Sequence, residues 1–106
     1  WFRLDDEGHF IWPGFGDNLR VLEWMIKRCE GKVDAVETPI GFVPKAEDIN
    51  LEGLDFSRDT LKSILEVKKD QWVKESEGIE EFYKKFGNKL PKELEEQLSI
   101  LKNNLQ

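Results

Sequence analysis

The feature of this sequence that most constrains its fold is a proline–glycine break that follows an aromatic, strand-like segment. Residues 1–12 alternate around the acidic, glycine-ended stretch 5–8, a pattern that predicts a β-hairpin. Pro13 and Gly14 end the second predicted strand, and Phe15 follows between two glycines. The chain is therefore predicted to leave the hairpin through a glycine-flanked loop.

Within the predicted hairpin, alternation assigns side chains to faces, because residues two apart on a strand point the same way. Phe2 and Leu4 are expected on one face of the first strand. Phe10 and Trp12 are expected on one face of the second strand.

A helix is predicted over residues 19–31. Its apolar residues recur at helical spacings, and Asp17 or Asn18 stands before it as a candidate N-cap. Gly31 is suited to end the helix. Cys29 falls on the apolar side of the pattern and is expected to be a small buried residue.

The remainder of the chain changes character at about residue 57. Residues 32–56 carry two prolines and two glycines and are predicted to be irregular, with one short strand near 40–43. Residues 57–106 are predicted to be helical. The predicted helices there are one beginning at Ser57, one over residues 68–86 and one beginning near Pro91. The sequence thus predicts an α+β fold, with an N-terminal β-hairpin and loop followed by about four helices.

Composition narrows the class of protein. The chain has 106 residues, enough for one domain, and a net charge of −6 from 22 acidic and 16 basic residues. A general nucleic-acid binder would carry the opposite sign of charge. The sequence has no membrane-length apolar run, and its single cysteine and single histidine exclude an internal disulfide and a multi-histidine metal site. We therefore expect a cytoplasmic location, with no nucleic-acid or membrane partner.

Aromatic residues and glycines are concentrated in the first 18 residues. One interpretation is a hairpin packed on a core, with the glycines serving the turns. The other is a pocket for a flat heteroaromatic ring, since stacking of a nucleobase on an aromatic side chain is worth about 1–3 kcal/mol. Gly14 and Gly16 would let the backbone approach the edge of such a ring. Composition alone leaves both interpretations open.

Stacking cannot distinguish one purine from another, whereas a buried polar side chain can. The carboxamide of Asn18 offers both a donor and an acceptor. Guanine presents a 6-oxo acceptor and a ring N–H donor, and adenine presents an amino donor and a bare ring acceptor. Asn18 is therefore a candidate for reading the edge of the base, and capping the helix is its other candidate role.

The run from Trp12 to Trp24 closely resembles the WPGFGEN-x-RVLEW segment of GTP-dependent phosphoenolpyruvate carboxykinases. Further matches on both sides extend the resemblance over about the first half of the chain, and it is weaker from Asp55 onward. It implies that residues 1–106 are the C-terminal segment of the nucleotide-binding lobe of a larger α/β enzyme. A start at Trp1, without a methionine, also favours a fragment.

The resemblance implies a guanine site in the hairpin and loop over residues 1–18. In the family, phenylalanine rings hold the base of GTP or GDP, the loop borders the guanine edge, and an asparagine reads that edge. The corresponding residues here are Phe2, Phe10, Phe15, Gly16, Asp17 and Asn18. The one departure in the loop is Asp17, where the family often has glutamate, and it keeps the negative charge.

The resemblance also implies the reaction of the parent enzyme, which converts oxaloacetate and GTP to phosphoenolpyruvate, carbon dioxide and GDP. That reaction uses manganese at the active site and magnesium with the nucleotide, with ligands expected outside this chain. A phosphate-binding GxxxxGK(S/T) loop does not occur in these residues. We therefore expect the fragment to be inactive alone and to need the remainder of a monomeric carboxykinase. The alternative is a free-standing helical interaction module whose aromatic hairpin docks a protein partner.

Overall fold

The computed structural model describes residues 2–106, which form two compact units. The first contains the residues up to 37 and residues 42–66, and the second contains residues 38–41 and 67–106. The strands and helices are β1 (Arg3–Leu4), β2 (Phe10–Trp12), α1 (Asn18–Cys29), β3 (Val36–Thr38), β4 (Gly41–Val43), α2 (Arg58–Leu65), α3 (Lys69–Lys84) and α4 (Lys92–Asn104). Short 3-10 turns lie at Phe15–Asp17, Ala46–Asp48 and Gly87–Lys89. The predicted α+β class, the hairpin and the helices are confirmed within the described residues.

The region over residues 32–56 is more regular than the sequence predicts. It contains a two-stranded sheet of β3 and β4 and a 3-10 turn, where one short strand was expected. The Thr38 hydroxyl donates a hydrogen bond of 2.6 Å to the carbonyl of Gly41 across the tight connection. Each strand has only three residues, too few for an alternation pattern to be recognised in the sequence.

The N-terminal hairpin is antiparallel and contains a bulge. Arg3 pairs with Trp12 and Leu4 pairs with Phe10, so Ile11 is the extra residue on β2. A bulge twists a strand and re-aims its side chains. The expectation that Phe10 and Trp12 share a face is therefore wrong, because Phe10 is 67% exposed and Trp12 is only 6% exposed.

The turn of the hairpin is held by a carboxylate. Asp5 Oδ1 accepts hydrogen bonds from the backbone N–H of Glu7 at 2.9 Å and of His9 at 2.8 Å. Gly8 has a φ of 85°, a left-handed conformation that side chains disfavour. The acidic, glycine-ended turn predicted from the sequence is confirmed, and it returns β2 alongside β1.

The core of the first unit gathers residues from the hairpin, two helices and the connecting segment. Its buried members are Trp12, Trp24, Ala46, Ile49, Leu51 and Leu61. The Trp12 ring meets Phe56 edge-on, with centroids 5.3 Å apart and an interplanar angle of 87°. Arg58 Nη1 donates to the carbonyl oxygens of Ala46 and Ile49, which ties the start of α2 to the 3-10 turn. This core fixes β2 and α1, the two elements on either side of the glycine-flanked loop.

Helix α1 packs on the core through Trp24, with Val21 beside it. Cys29 is exposed, so the expectation that it is buried is wrong. The reason is geometric: at 100° per residue, Cys29 lies on the side of the helix away from Trp24. The same outer side carries Leu22, Met25 and Ile26, which are between 48% and 60% exposed. Periodicity identifies an apolar stripe but does not say which neighbour covers it.

The second unit is built on α3 and α4. Ser76 of α3 and Leu105 next to α4 are its buried residues, at 3% and 2% exposure. Lys102 Nζ lies 2.9 Å from Glu80 Oε2, and this hydrogen bond lowers the pKa of the Glu80 carboxyl below its ordinary value. Helix α4 begins near Pro91, as predicted, with Pro91 at its N-cap position. No helix in residues 2–106 is both long enough and apolar enough to cross a membrane.

Helix α2 should depend on its N-cap. Ser57 Oγ accepts a hydrogen bond of 3.0 Å from the N–H of Thr60, and Ser57→Ala removes that acceptor. We expect the free energy of opening of α2 to fall by about 1 kcal/mol, measured by hydrogen exchange of its amides. The matched control is Ser63→Ala, because the Ser63 hydroxyl only donates to the Thr60 carbonyl within the helix. Equal effects of the two variants would contradict this role of Ser57.

Candidate nucleotide-base site

The three phenylalanines identified from the sequence come together on the surface. Phe2 lies 5.4 Å from Phe10 and 5.5 Å from Phe15 between ring centroids, at interplanar angles of 51° and 69°. The three rings are 49%, 67% and 82% exposed in the order Phe2, Phe10, Phe15. This group is called the aromatic cluster below. The rings lie on the surface of the first unit, whereas Trp12 of the same hairpin packs in its core.

An exposed cluster of this kind needs a cause other than folding. Burial of apolar surface stabilises a fold, whereas rings left in water contribute little. Contiguous exposed apolar patches on proteins commonly mark binding surfaces. The bulge in β2 creates the cluster, since it leaves Phe10 outside while Trp12 enters the core.

Phe15 adopts a backbone conformation that is unfavourable for its residue type. Its φ is 48°, the only positive φ at a non-glycine position in the described residues. Gly14 before it has a φ of 71°, and the N–H of Asp17 donates to the Gly14 carbonyl at 3.1 Å. A left-handed conformation costs a side-chain-bearing residue about 1–2 kcal/mol. Strain of this kind tends to persist where a side chain must be presented for function.

Asn18 opens α1 and is held by a hydrogen bond from the core. Its Oδ1 accepts from the indole Nε1 of Trp12 at 2.9 Å. The alternative role of Asn18 as a side-chain cap is not observed, and Asp17, at the N-cap position, also makes no capping hydrogen bond. The Nδ2 group of Asn18 has no protein partner among residues 2–106 in the hydrogen bonds of the structure. The carboxamide thus retains two donor hydrogens for a ligand.

Asp17 is engaged in a different contact. Its Oδ1 accepts from Nε of Arg20 at 2.9 Å, and Nη1 of Arg20 donates to the carbonyl of Asn50, also at 2.9 Å. Arg20 therefore connects the glycine-flanked loop to the segment that follows the second 3-10 turn. Nothing local in the sequence indicates this contact, since Arg20 and Asn50 are 30 residues apart.

Gly16 lies in open space. A Cβ built on it would meet no atom within 4 Å, and its φ is not in the positive range. Nothing in the described residues therefore requires glycine at this position. A ligand that approaches the loop backbone closely would account for it.

A cavity of about 500 Å³ lies beside the aromatic cluster, within the first unit. Its walls are mostly apolar side chains of β2, α1 and α2, and Phe2 and Asn18 line it as well. The volume falls in the range of small-molecule pockets. Phe10 and Phe15 do not line this cavity. The cavity and the aromatic cluster therefore meet only at Phe2, and we take the cluster with Asn18 as the candidate base site.

The described residues do not fit a metal site. In residues 2–106 no three His, Cys, Asp or Glu side chains are grouped closely enough to hold a metal ion. The aromatic cluster and the Asn18 carboxamide have the chemistry suited to stacking on a flat ring and hydrogen bonding to its edge. Trp12 is the one member of the site that sequence reasoning missed, because it was assigned to the same face as Phe10.

The strain at Phe15 gives a prediction. Phe15→Gly and Phe15→Ala both remove the ring, but glycine adopts a φ of 48° without steric cost. The glycine variant should therefore be the more stable of the two, by about 1 kcal/mol, in thermal unfolding. At Phe42, an exposed phenylalanine of β4 that is not in the left-handed region, the order should reverse. An alanine variant at Phe15 as stable as the glycine variant would contradict the strain.

Comparison with known proteins shows the family of this chain. Residues 1–104 match the family model of the phosphoenolpyruvate carboxykinase C-terminal P-loop domain. The protein of Renibacterium salmoninarum named phosphoenolpyruvate carboxykinase (GTP) is 53% identical over 105 residues, covering 99% of this chain and 17% of the relative. The protein of that name from Chlamydia muridarum is 46% identical over 107 residues, covering 100% of this chain and 18% of the relative. The chain spans less than a fifth of the length of these relatives. It belongs to the GTP-dependent phosphoenolpyruvate carboxykinase family, as part of the C-terminal P-loop domain.

Proposed function

We propose that this chain supplies the guanine-base half of the nucleotide site of a phosphoenolpyruvate carboxykinase. The observation that carries the proposal is the exposed aromatic cluster together with Asn18, which lines the same cavity as Phe2 and whose Nδ2 hydrogens have no partner among the described residues. The parent protein would convert oxaloacetate and GTP to phosphoenolpyruvate, carbon dioxide and GDP. Residues 1–18 would form the base-binding part of the nucleotide-binding lobe.

The proposed binding mode follows from the chemistry of the site. The rings of Phe2, Phe10 and Phe15 offer apolar surface to the faces of the purine, and stacking of this kind is worth about 1–3 kcal/mol per base. Asn18 Nδ2 would donate to the 6-oxo group of guanine. Adenine carries an amino donor at that position, so the same contact would set two donors against each other.

The other half of the site is assigned to the remainder of the carboxykinase chain. Phosphoryl transfer needs a phosphate cradle and bridging metal ions. We propose that manganese and magnesium are held elsewhere in the parent protein, which we propose to be a cytoplasmic monomer. The outer side of α1 carries Leu22, Met25 and Ile26 in contact with water, a surface suited to packing against that remainder.

The exposed rings would also suit a hairpin that docks a protein partner. The match to carboxykinases over residues 1–104 favours the nucleotide, because the aromatic residues lie inside the matched region. A partner-docking role has no separate observation in its support.

Asn18→Ala in the full-length protein should lower the preference for GTP over ATP. The variant loses the hydrogen bond that distinguishes the bases, which is worth about 1–3 kcal/mol. The ratio of kcat/KM for GTP to that for ATP should therefore fall about five- to 150-fold. Asn103→Ala, an exposed asparagine of α4, is the control and should leave the ratio unchanged. Equal use of GTP and ATP by the unmodified protein would overturn the proposed function.

The isolated 106-residue chain should bind GDP weakly or undetectably. Without phosphate and metal contacts, stacking and a few hydrogen bonds must offset the entropy lost on association. Titration with GDP can be followed by tryptophan fluorescence, since the chain has four tryptophans and Trp12 contacts Asn18 directly. A Kd in the micromolar range would show that the base half of the site is sufficient alone.

A further inference from the structure

The hydrogen bond between Trp12 and Asn18 distinguishes the oxygen end of the Asn18 carboxamide from its nitrogen end. An indole N–H is a donor only, so the atom 2.9 Å from Trp12 Nε1 must be the oxygen of Asn18. We propose that Trp12 is a positioning residue for base specificity: it holds the Asn18 amide in the one orientation that pairs with a 6-oxo purine. The inference rests on the proposed function, since it concerns how the same site selects its base.

A free carboxamide is a poor discriminator between purines. In one orientation its nitrogen donates to the 6-oxo group of guanine and its oxygen accepts from the ring N1–H. After a rotation of 180° its oxygen accepts from the 6-amino group of adenine and its nitrogen donates to N1. The two ends of the amide have nearly the same shape, so packing alone does not choose between these orientations. Asparagine therefore discriminates guanine from adenine only if something prevents the flip.

Trp12 supplies that constraint. Its side chain is in the core, 6% exposed and packed edge-on against Phe56, so the indole N–H has little freedom to move. A flipped Asn18 would turn its NH₂ group toward the indole N–H, which sets two donors against each other. The indole N–H, which is part-buried, would then lose its protein partner. The second lone pair of Oδ1 stays available to the guanine N1–H.

The chain contains a natural control for this role. Trp24 is also in the core, 7% exposed, and its indole Nε1 has no hydrogen-bond partner within the described residues. The two tryptophans thus have similar burial in the same core, and only Trp12 contacts the base site. Replacement of either by phenylalanine removes an N–H and part of a ring from the core, but only one replacement frees the Asn18 amide.

The test uses the full-length protein with GTP, ITP and ATP. Trp12→Phe should lower the ratio of kcat/KM for GTP to that for ATP by about tenfold, the effect of one lost hydrogen bond. ITP carries the same N1–H and 6-oxo edge as GTP, so the ratio of ITP to ATP should fall in parallel. Trp24→Phe should leave both ratios unchanged. A merely structural role of Trp12 would lower kcat/KM for all three nucleotides together, and that result would overturn the proposal.

A second replacement covers the case in which Trp12→Phe does not fold. Trp12→benzothienylalanine keeps the size and shape of the indole and replaces its N–H with sulfur, and it should reproduce the loss of preference in a folded protein. If this variant keeps the unmodified GTP preference, the inference about Trp12 is wrong while the proposed function stands. If the unmodified protein itself shows no preference for GTP, the proposed function is wrong, and the inference that rests on it is wrong as well.

Discussion

The burial of Trp12 is the constraint on which the rest of the site depends. The bulge in β2 sends this side chain into the core and leaves Phe10 outside, so a three-residue strand contributes to both the fold and the aromatic cluster. The same indole bonds to Asn18, which fixes the first residue of α1 relative to the core. Arg20 holds the loop between them from the other side. These contacts connect the candidate site to the packed core of the first unit.

The exposed features of the site carry free-energy costs that contacts within the described residues do not offset. The aromatic cluster leaves three rings in contact with water, and Phe15 adopts a backbone conformation that its side chain disfavours. At Gly16, a Cβ would meet no atom of residues 2–106 within 4 Å. Each of these becomes reasonable if a flat ligand covers the rings and approaches the loop. The shared explanation supports a base site more strongly than any one of them does.

Local signals in the sequence predicted much of the fold. The hairpin turn, the helix beginning at Ser57 and the helix following Pro91 depend on residues close in sequence, and they form as expected. The bulge, the side of α1 that the core covers and the hydrogen bond between Trp12 and Asn18 depend on three-dimensional packing rather than on residue type or spacing, and the sequence did not predict them. The resemblance to carboxykinases named the three phenylalanines, but no sequence pattern indicates that their rings meet. Nor does it indicate which end of the Asn18 amide faces the core.

Whether guanine binds at the aromatic cluster with its edge against Asn18 can be tested by a crystal structure of the full-length protein with GDP. We expect the purine to lie against the rings of Phe2, Phe10 and Phe15, with its 6-oxo group within hydrogen-bond distance of Asn18 Nδ2. The Trp12 indole should still donate to Asn18 Oδ1 in that complex. A base bound elsewhere, with the aromatic cluster still open to water, would contradict the proposed base site.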